Sequence, residues 1–156
     1  MKRICILLAG VALAAVSVSA VALARPEPPT AHPALLFFTV QLRHTRLGKV
    51  LANAAGYTLF EFTKDRPKKD TCLKIKGCLT AWPEMPVQGK PSAGPGLRAS
   101  LLSTINTPGG IMQVTYAGHP LYIHLADRGA GRTSYVGKKE FGGKWYAVNA
   151  KGHAVK

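Results

Sequence analysis

The chain has 156 residues, 21 Lys or Arg against 7 Asp or Glu, and a formal net charge of +14. That length excludes several full-sized domains and leaves room for one core, or for two small units sharing one. The charge favours anionic contacts, namely phospholipid headgroups, anionic glycans, nucleic acid or acidic proteins, and by itself says nothing of fold.

The elements run as follows from the N-terminus. Lys2 and Arg3 form a short positive start, an apolar run follows from Ile4 to Ala24, and Ala22-Leu23-Ala24 supplies small residues around a cleavage position before Arg25-Pro26-Glu27-Pro28-Pro29. Proline lacks the amide hydrogen and biases the residue before it away from helix. This is the pattern of a secretory signal peptide, residues 1–24. Its removal takes only Lys2 and Arg3 from the basic side chains, so the mature chain from Arg25 onward stays strongly basic. That chain is expected in the periplasm or the medium. The competing reading is an uncleaved anchor, because the apolar run is about long enough to span a bilayer. Cys5 lies too early in the run for lipidation after it.

Residues 25–46 read as a proline-rich leader and a first strand at Leu35–Val40. Residues 47–85 form a first unit, with a strand beginning near Leu47 and another over Tyr57–Phe62. Both faces of the latter carry apolar side chains, so it is expected to be covered on both sides. Residues 86–100 are a linker by composition, with Pro86, Gly89, Pro91, Gly94, Pro95 and Gly96. Residues 101–156 form a second unit. Its runs are Leu101–Ile105, Ile111–Tyr116, Leu121–Leu125 and Gly142–Val148, with a glycine-containing turn at Ala117–Pro120. No sustained helical stripe occurs, and the fold class is all-β.

The two units repeat. Gly56, Leu59, Phe60 and Asp65 stand at the same mutual spacing as Gly118, Leu121, Tyr122 and Asp127. Trp82 follows Asp65 at almost the distance at which Trp145 follows Asp127. A repeat unit seldom buries its apolar face alone, so two antiparallel β units about an approximate two-fold, sharing a core, are expected. Asp65 and Asp127 are placed to accept hydrogen bonds from loop amides. Trp82 and Trp145 bury a large area while offering an indole N–H.

Cys72 and Cys78 remain after processing, with Leu73 to Gly77 between them. In an oxidising compartment two thiols allow one pairing, and the spacing differs from that of redox pairs. A structural disulfide is expected. The densest basic run is Lys64, Arg66, Lys68, Lys69, Lys74 and Lys76. It holds no aromatic platform, so specific nucleic-acid binding is not expected.

The repeated segments read Phe60-Glu61-Phe62-Thr63-Lys64-Asp65 and Tyr122-Ile123-His124-Leu125-Ala126-Asp127. Together with Trp82-Pro83, Gln113–Tyr116 and Gly143–Tyr146 they resemble the secreted repeat proteins, often described as predicted lipoproteins, with a Tyr-x-aromatic-x-x-Asp motif. Phenylalanine stands in the tyrosine place of the first copy and His124 in the aromatic place of the second. The resemblance implies an exported protein of unestablished biochemical function. The motif residues are Phe60, Phe62, Asp65, Trp82, Tyr122, His124, Asp127 and Trp145. Lipid anchoring is common in that family; here no cysteine follows the signal, so release is expected.

No serine stands in a Gly-x-Ser-x-Gly elbow, no metal spacing is present, and no cofactor is expected. The leading expectation is a non-enzymatic binding or envelope-associated domain meeting an anionic surface, glycan or acidic protein. The alternative is a small periplasmic enzyme or metal-handling protein built on Tyr122, His124 and Asp127. On a strand, His124 and Asp127 would face opposite sides. Met85, Met112 or a distant histidine would have to complete any metal site, and Asp65 with Asp127 would have to converge for acid–base work.

Overall fold

The computed structural model describes residues 39–127 and 129–156. The predicted signal, the leader and the start of the first strand lie outside those residues. The described residues form ten strands in antiparallel pairs, one single-turn α-helix and two 3-10 turns. The all-β expectation holds.

A hairpin opens the fold: β1 (Val40–Thr45) pairs with β2 (Gly48–Asn53), Val40 opposite Asn53 and Thr45 opposite Gly48. The short β3 (Phe60–Phe62) follows. Next come the disulfide loop, the one-turn helix α1 (Cys78–Ala81) and β4 (Pro86–Val87). The second half opens on another hairpin, β5 (Leu102–Thr107) with β6 (Ile111–Tyr116), Leu102 opposite Tyr116. The Ala117–Gly118 turn, with φ of 51° and 84°, leads into β7 (His119–Pro120). A two-residue turn with both φ positive matches the twist of the flanking strands. The expected bend at Ala117–Pro120 is therefore confined to its first two residues, and His119 and Pro120 are already paired. β8 (Lys139–Glu140), β9 (Gly143–Val148) and β10 (Ala154–Val155) complete the chain.

The repeat is visible in the hairpins. β1 and β5 stand at the same offset along the chain as Phe60 and Tyr122, so the repeated unit reaches back to Val40. At the centre, Phe60 and Tyr122 exchange both backbone hydrogen bonds, at 2.9 and 3.0 Å. Outside them, Phe60 pairs with Ala147 and Tyr122 with Glu84. Ala147 and Glu84 each stand second after their own half's tryptophan. Each half thus lends a strand at its tryptophan end to the other: β4 pairs with β6 of the second hairpin, while β9 pairs with β3. The linker expected at 86–100 therefore begins with a paired strand, since Pro86 and Val87 lie opposite Gln113 and Met112.

Alternation sorts the core into two clusters. Leu59 and Leu121 enter one with Val40, Leu51, Met85, Val114, Tyr116 and Val148, beneath the hairpins. Phe60 and Tyr122, the next residues, enter the other with Phe62, Trp82, Trp145, Cys72 and Cys78. The central strands are covered on both sides, as their apolar composition implies.

Candidate functional site

The motif residues gather in the second cluster. Phe60, Trp82, Tyr122 and Trp145 are fully buried there. The two indoles stack at 3.9 Å between ring centroids and 2° between planes. Around them the contacts repeat about the two-fold. Phe60 meets its own Trp82 edge-on at 5.2 Å, and Tyr122 meets its own Trp145 edge-on at 5.1 Å. Phe62 stacks on the opposite Trp145 at 4.2 Å, while His124 lies against the opposite Trp82 at 4.4 Å. The tyrosine-place residue packs on its own tryptophan and the aromatic-place residue on its neighbour's. Such pairs add about 0.5–1.5 kcal/mol each beyond area burial.

The polar contacts do not repeat. Asp65 accepts from the Thr71 backbone amide at 2.7 Å and from the Tyr122 hydroxyl at 2.8 Å. The first bond fixes the loop after β3, as expected of a carboxylate at a strand end. The second crosses between the halves. Burial pushes the Asp65 carboxyl up to about 6, opposed by these two donors. Burial and the neighbouring Asp65 push the Tyr122 phenol up, so it remains a donor. The counterpart of Tyr122 is Phe60, which has no hydroxyl, and Asp127 Oδ2 is buried without a hydrogen-bond partner among the described residues. Burial raises Asp127 to about 6 too, with Arg132 opposing. Trp82 Nε1 donates to Glu140 Oε2 at 2.9 Å, whereas Trp145 Nε1 finds no partner among the described residues.

His124 and Asp127 are closer than a strand would allow. Leu121–Leu125 carries only the bridges at Tyr122, and the chain turns at once, with the Asp127 amide donating to the His124 carbonyl at 3.0 Å. The expected strand is broken because its backbone groups are taken by Val114, Pro83 and Ala81 in turn. Both side chains consequently line one open concavity of about 690 Å³ with Tyr57, Ile123, Leu125 and Gly129. His124 Nδ1 accepts from the Ala126 amide at 3.2 Å and its ring stacks on Tyr135 at 3.5 Å. Burial lowers its pKa, which keeps the imidazole neutral. Tyr122 points to Asp65 instead, so the three residues of the enzyme or metal alternative do not converge. Met85 sits in the other cluster. Among the described residues no group of three or more His, Cys, Asp and Glu side chains is arranged to hold a metal ion.

Cys72 and Cys78 are bridged and fully buried. Around this loop the structure assembles a basic face from both halves. The Thr63 amide donates to the Lys144 carbonyl at 3.0 Å, Lys139 lies opposite Lys144, and the Lys64 stem crosses Gly142 and Gly143. Phe141 packs over the disulfide cluster. Lys64, Lys74, Lys76, Lys139 and Lys144 are exposed, and none forms an ion pair among the described residues. Among the described lysines only Lys138 approaches a carboxylate, Glu140, at 4.0 Å.

The sequence pointed to the first-half lysines but not to their partners Lys139 and Lys144, which lie far off in the chain. Glu140 and Tyr135 were missed as well. The scarcity of carboxylates was the one available signal for Glu140.

Residues 103–149 match the model of a family described as a secreted repeat of unknown function. The match spans β5 to β9, the second half of the repeat. No curated protein and no solved structure matches the chain.

Proposed function

We propose that this chain, whose residues 103–149 match a family of secreted repeats, acts outside the cytoplasm as a non-enzymatic binding domain for an anionic envelope surface. The observation that carries the reading is the basic face at the disulfide end. Lys64, Lys74 and Lys76 come from one half and Lys139 and Lys144 from the other, all exposed and without an ion-pair partner among the described residues. Like charges that outnumber their counter-charges, here only Glu140 beside Lys138 and Lys139, raise the local potential and draw in anions. Their cost to the fold is modest because the lysine stems lie along the surface while the ammonium groups stay in water. The stacked indoles join the two halves below this face, and the disulfide closes the loop that carries Lys74 and Lys76.

Anionic probes test this directly. The processed protein is expected to bind heparin and phosphatidylglycerol vesicles at low salt, with affinity falling steeply as salt rises, since the attraction between exposed charges is screened over about 10 Å at about 0.1 M. Exchange of Lys74, Lys76, Lys139 and Lys144 for glutamine should weaken both while leaving the melting temperature unchanged. Absence of binding to either probe at low salt would overturn the reading.

A further inference from the structure

A second surface, made of other residues, is amphiphilic. Leu125 is 64% exposed and Tyr57 38%, the first and third most exposed large apolar side chains among the described residues, and both line the same concavity. The loop beside them is glycine-rich. Gly131 donates its amide to the Gly56 carbonyl at 2.9 Å, which ties that loop to the turn before Tyr57. Three arginines converge on it. Arg43 lies across Gly56 and Gly131, Arg132 folds back over Gly129, and Arg46 donates from Nε to the Thr133 hydroxyl at 3.3 Å. All three arginines are exposed and none forms an ion pair within 4.0 Å among the described residues, Arg132 acting on the Asp127 carboxylate of the same concavity from longer range.

We propose that this rim is a contact site for the surface of a bilayer rich in anionic phospholipid, with Leu125 entering the headgroup–acyl boundary and the arginines holding phosphates. The guanidinium fork matches phosphate oxygens two at a time and is more weakly hydrated than an ammonium, so it suits a partly dehydrated interface. Tyrosine has an apolar body and a polar tip, the form favoured where hydrocarbon meets headgroups. Cationic residues beside an exposed apolar side chain are the arrangement by which proteins lie on membranes. A purely polyanionic partner, such as a sulfated glycan, would account for the arginines but leave Leu125 standing in water.

The site rests on the anionic-surface reading only in the sign of its partner, and the two separate by variant. Vesicles of phosphatidylglycerol and phosphatidylcholine in equal parts, vesicles of phosphatidylcholine alone, and immobilised heparin serve as probes for the processed protein. Leu125→Asn is expected to lower partitioning onto the mixed vesicles about fivefold, from the loss of buried apolar surface, and to leave heparin binding unchanged. Arg43→Gln with Arg132→Gln should lower it about tenfold or more, as expected for two cations near an anionic surface. These side chains are exposed, so equal melting temperatures check the fold. Unchanged vesicle binding in Leu125→Asn, or equal binding to both kinds of vesicle, overturns the membrane site. If vesicle and heparin binding fall together only when Lys74, Lys76, Lys139 and Lys144 are changed, the basic face stands and this site does not. If neither probe binds, both fail.

Discussion

At the residue scale a single missing oxygen separates the two tyrosine places of the motif. Tyr122 and Phe60 occupy matching places, yet only Tyr122 has a hydroxyl to give, and only Asp65 receives one. Asp127 is left with Oδ2 buried and without a partner among the described residues. A buried polar group without a hydrogen bond costs about 1–3 kcal/mol. Phe60→Tyr should return the second copy of the bond and raise stability by about 1 kcal/mol, read as a higher melting temperature. The same substitution combined with Asp127→Ala should show no such gain. The pH dependence of Asp127 is a separate check. Its carboxyl sits at about 6 in the fold, above the ordinary value of 3.8. The folded state therefore keeps the proton longer than the unfolded one, and this group's stabilising effect is complete below about pH 4 and lost as pH rises to about 6. Asp127→Asn removes that loss. The stability of the variant relative to the wild type should climb between about pH 4 and 6 and then stay level. A flat difference in denaturant unfolding across that range would contradict it. The motif spacing made the aspartates legible in the sequence. The bond across to the other half's tyrosine was not legible, because spacing along the chain carries no information about which half a side chain faces.

Strands and turns show where chain-local patterns suffice. Ile111–Tyr116 is bounded by turn residues on both sides and forms β6 over those residues. Leu121–Leu125 has equal β character, yet forms only bridges at Tyr122, because three different segments compete for its backbone. β4 was hidden for the opposite reason. Its Pro86-Val87 pair reads as loop, and only the partner strand β6 makes it a strand. Proline is tolerated there because a strand end or edge does not need its missing amide hydrogen. Glycines divide in the same way. Gly110 lies in the β5–β6 turn at a φ of 78°, and a Cβ there would meet nothing within 4 Å. Gly143, at the start of β9, has the Phe62 ring over it, with Cζ 3.0 Å from where a Cβ would stand and Lys64 Cγ at 2.9 Å. Gly110→Ala should therefore cost about 1 kcal/mol through its backbone alone. Gly143→Ala should cost more, about 2–3 kcal/mol, because it pushes Phe62 off Trp145 in a packed core. Denaturant unfolding of the two variants checks the order, and near-ultraviolet circular dichroism should report the disturbed indole stack only for Gly143→Ala.

At the scale of the molecule, the described residues form one fold made by exchange between halves. Repetition in the sequence predicts two units sharing a core, and the structure adds how they share it. The segment after Trp82 lies against Tyr122 and β6, and the strand that contains Trp145 lies against Phe60 and Phe62. The stacked tryptophans come one from each half. Neither half closes its own sheet, so each would expose unpaired backbone and an apolar face if made alone. The segment between β4 and β5 connects the halves and adds only the half-buried Leu97 and Leu101 to the edge of the first core cluster. Cleavage of the chain near Gly89-Lys90 should therefore leave the protein assembled, with the two pieces held by the exchanged strands and the indole stack. The second half alone, residues 101–156, should lack a cooperative unfolding transition, because it lacks Trp82, Glu84 and β4. Mixing it with the first half, residues 39–89, should restore the transition and the near-ultraviolet signal of the stacked indoles. Independent cooperative folding of residues 101–156 would mean that the exchange is dispensable. It would also mean that the basic face, assembled from both halves, is not tied to the integrity of the core.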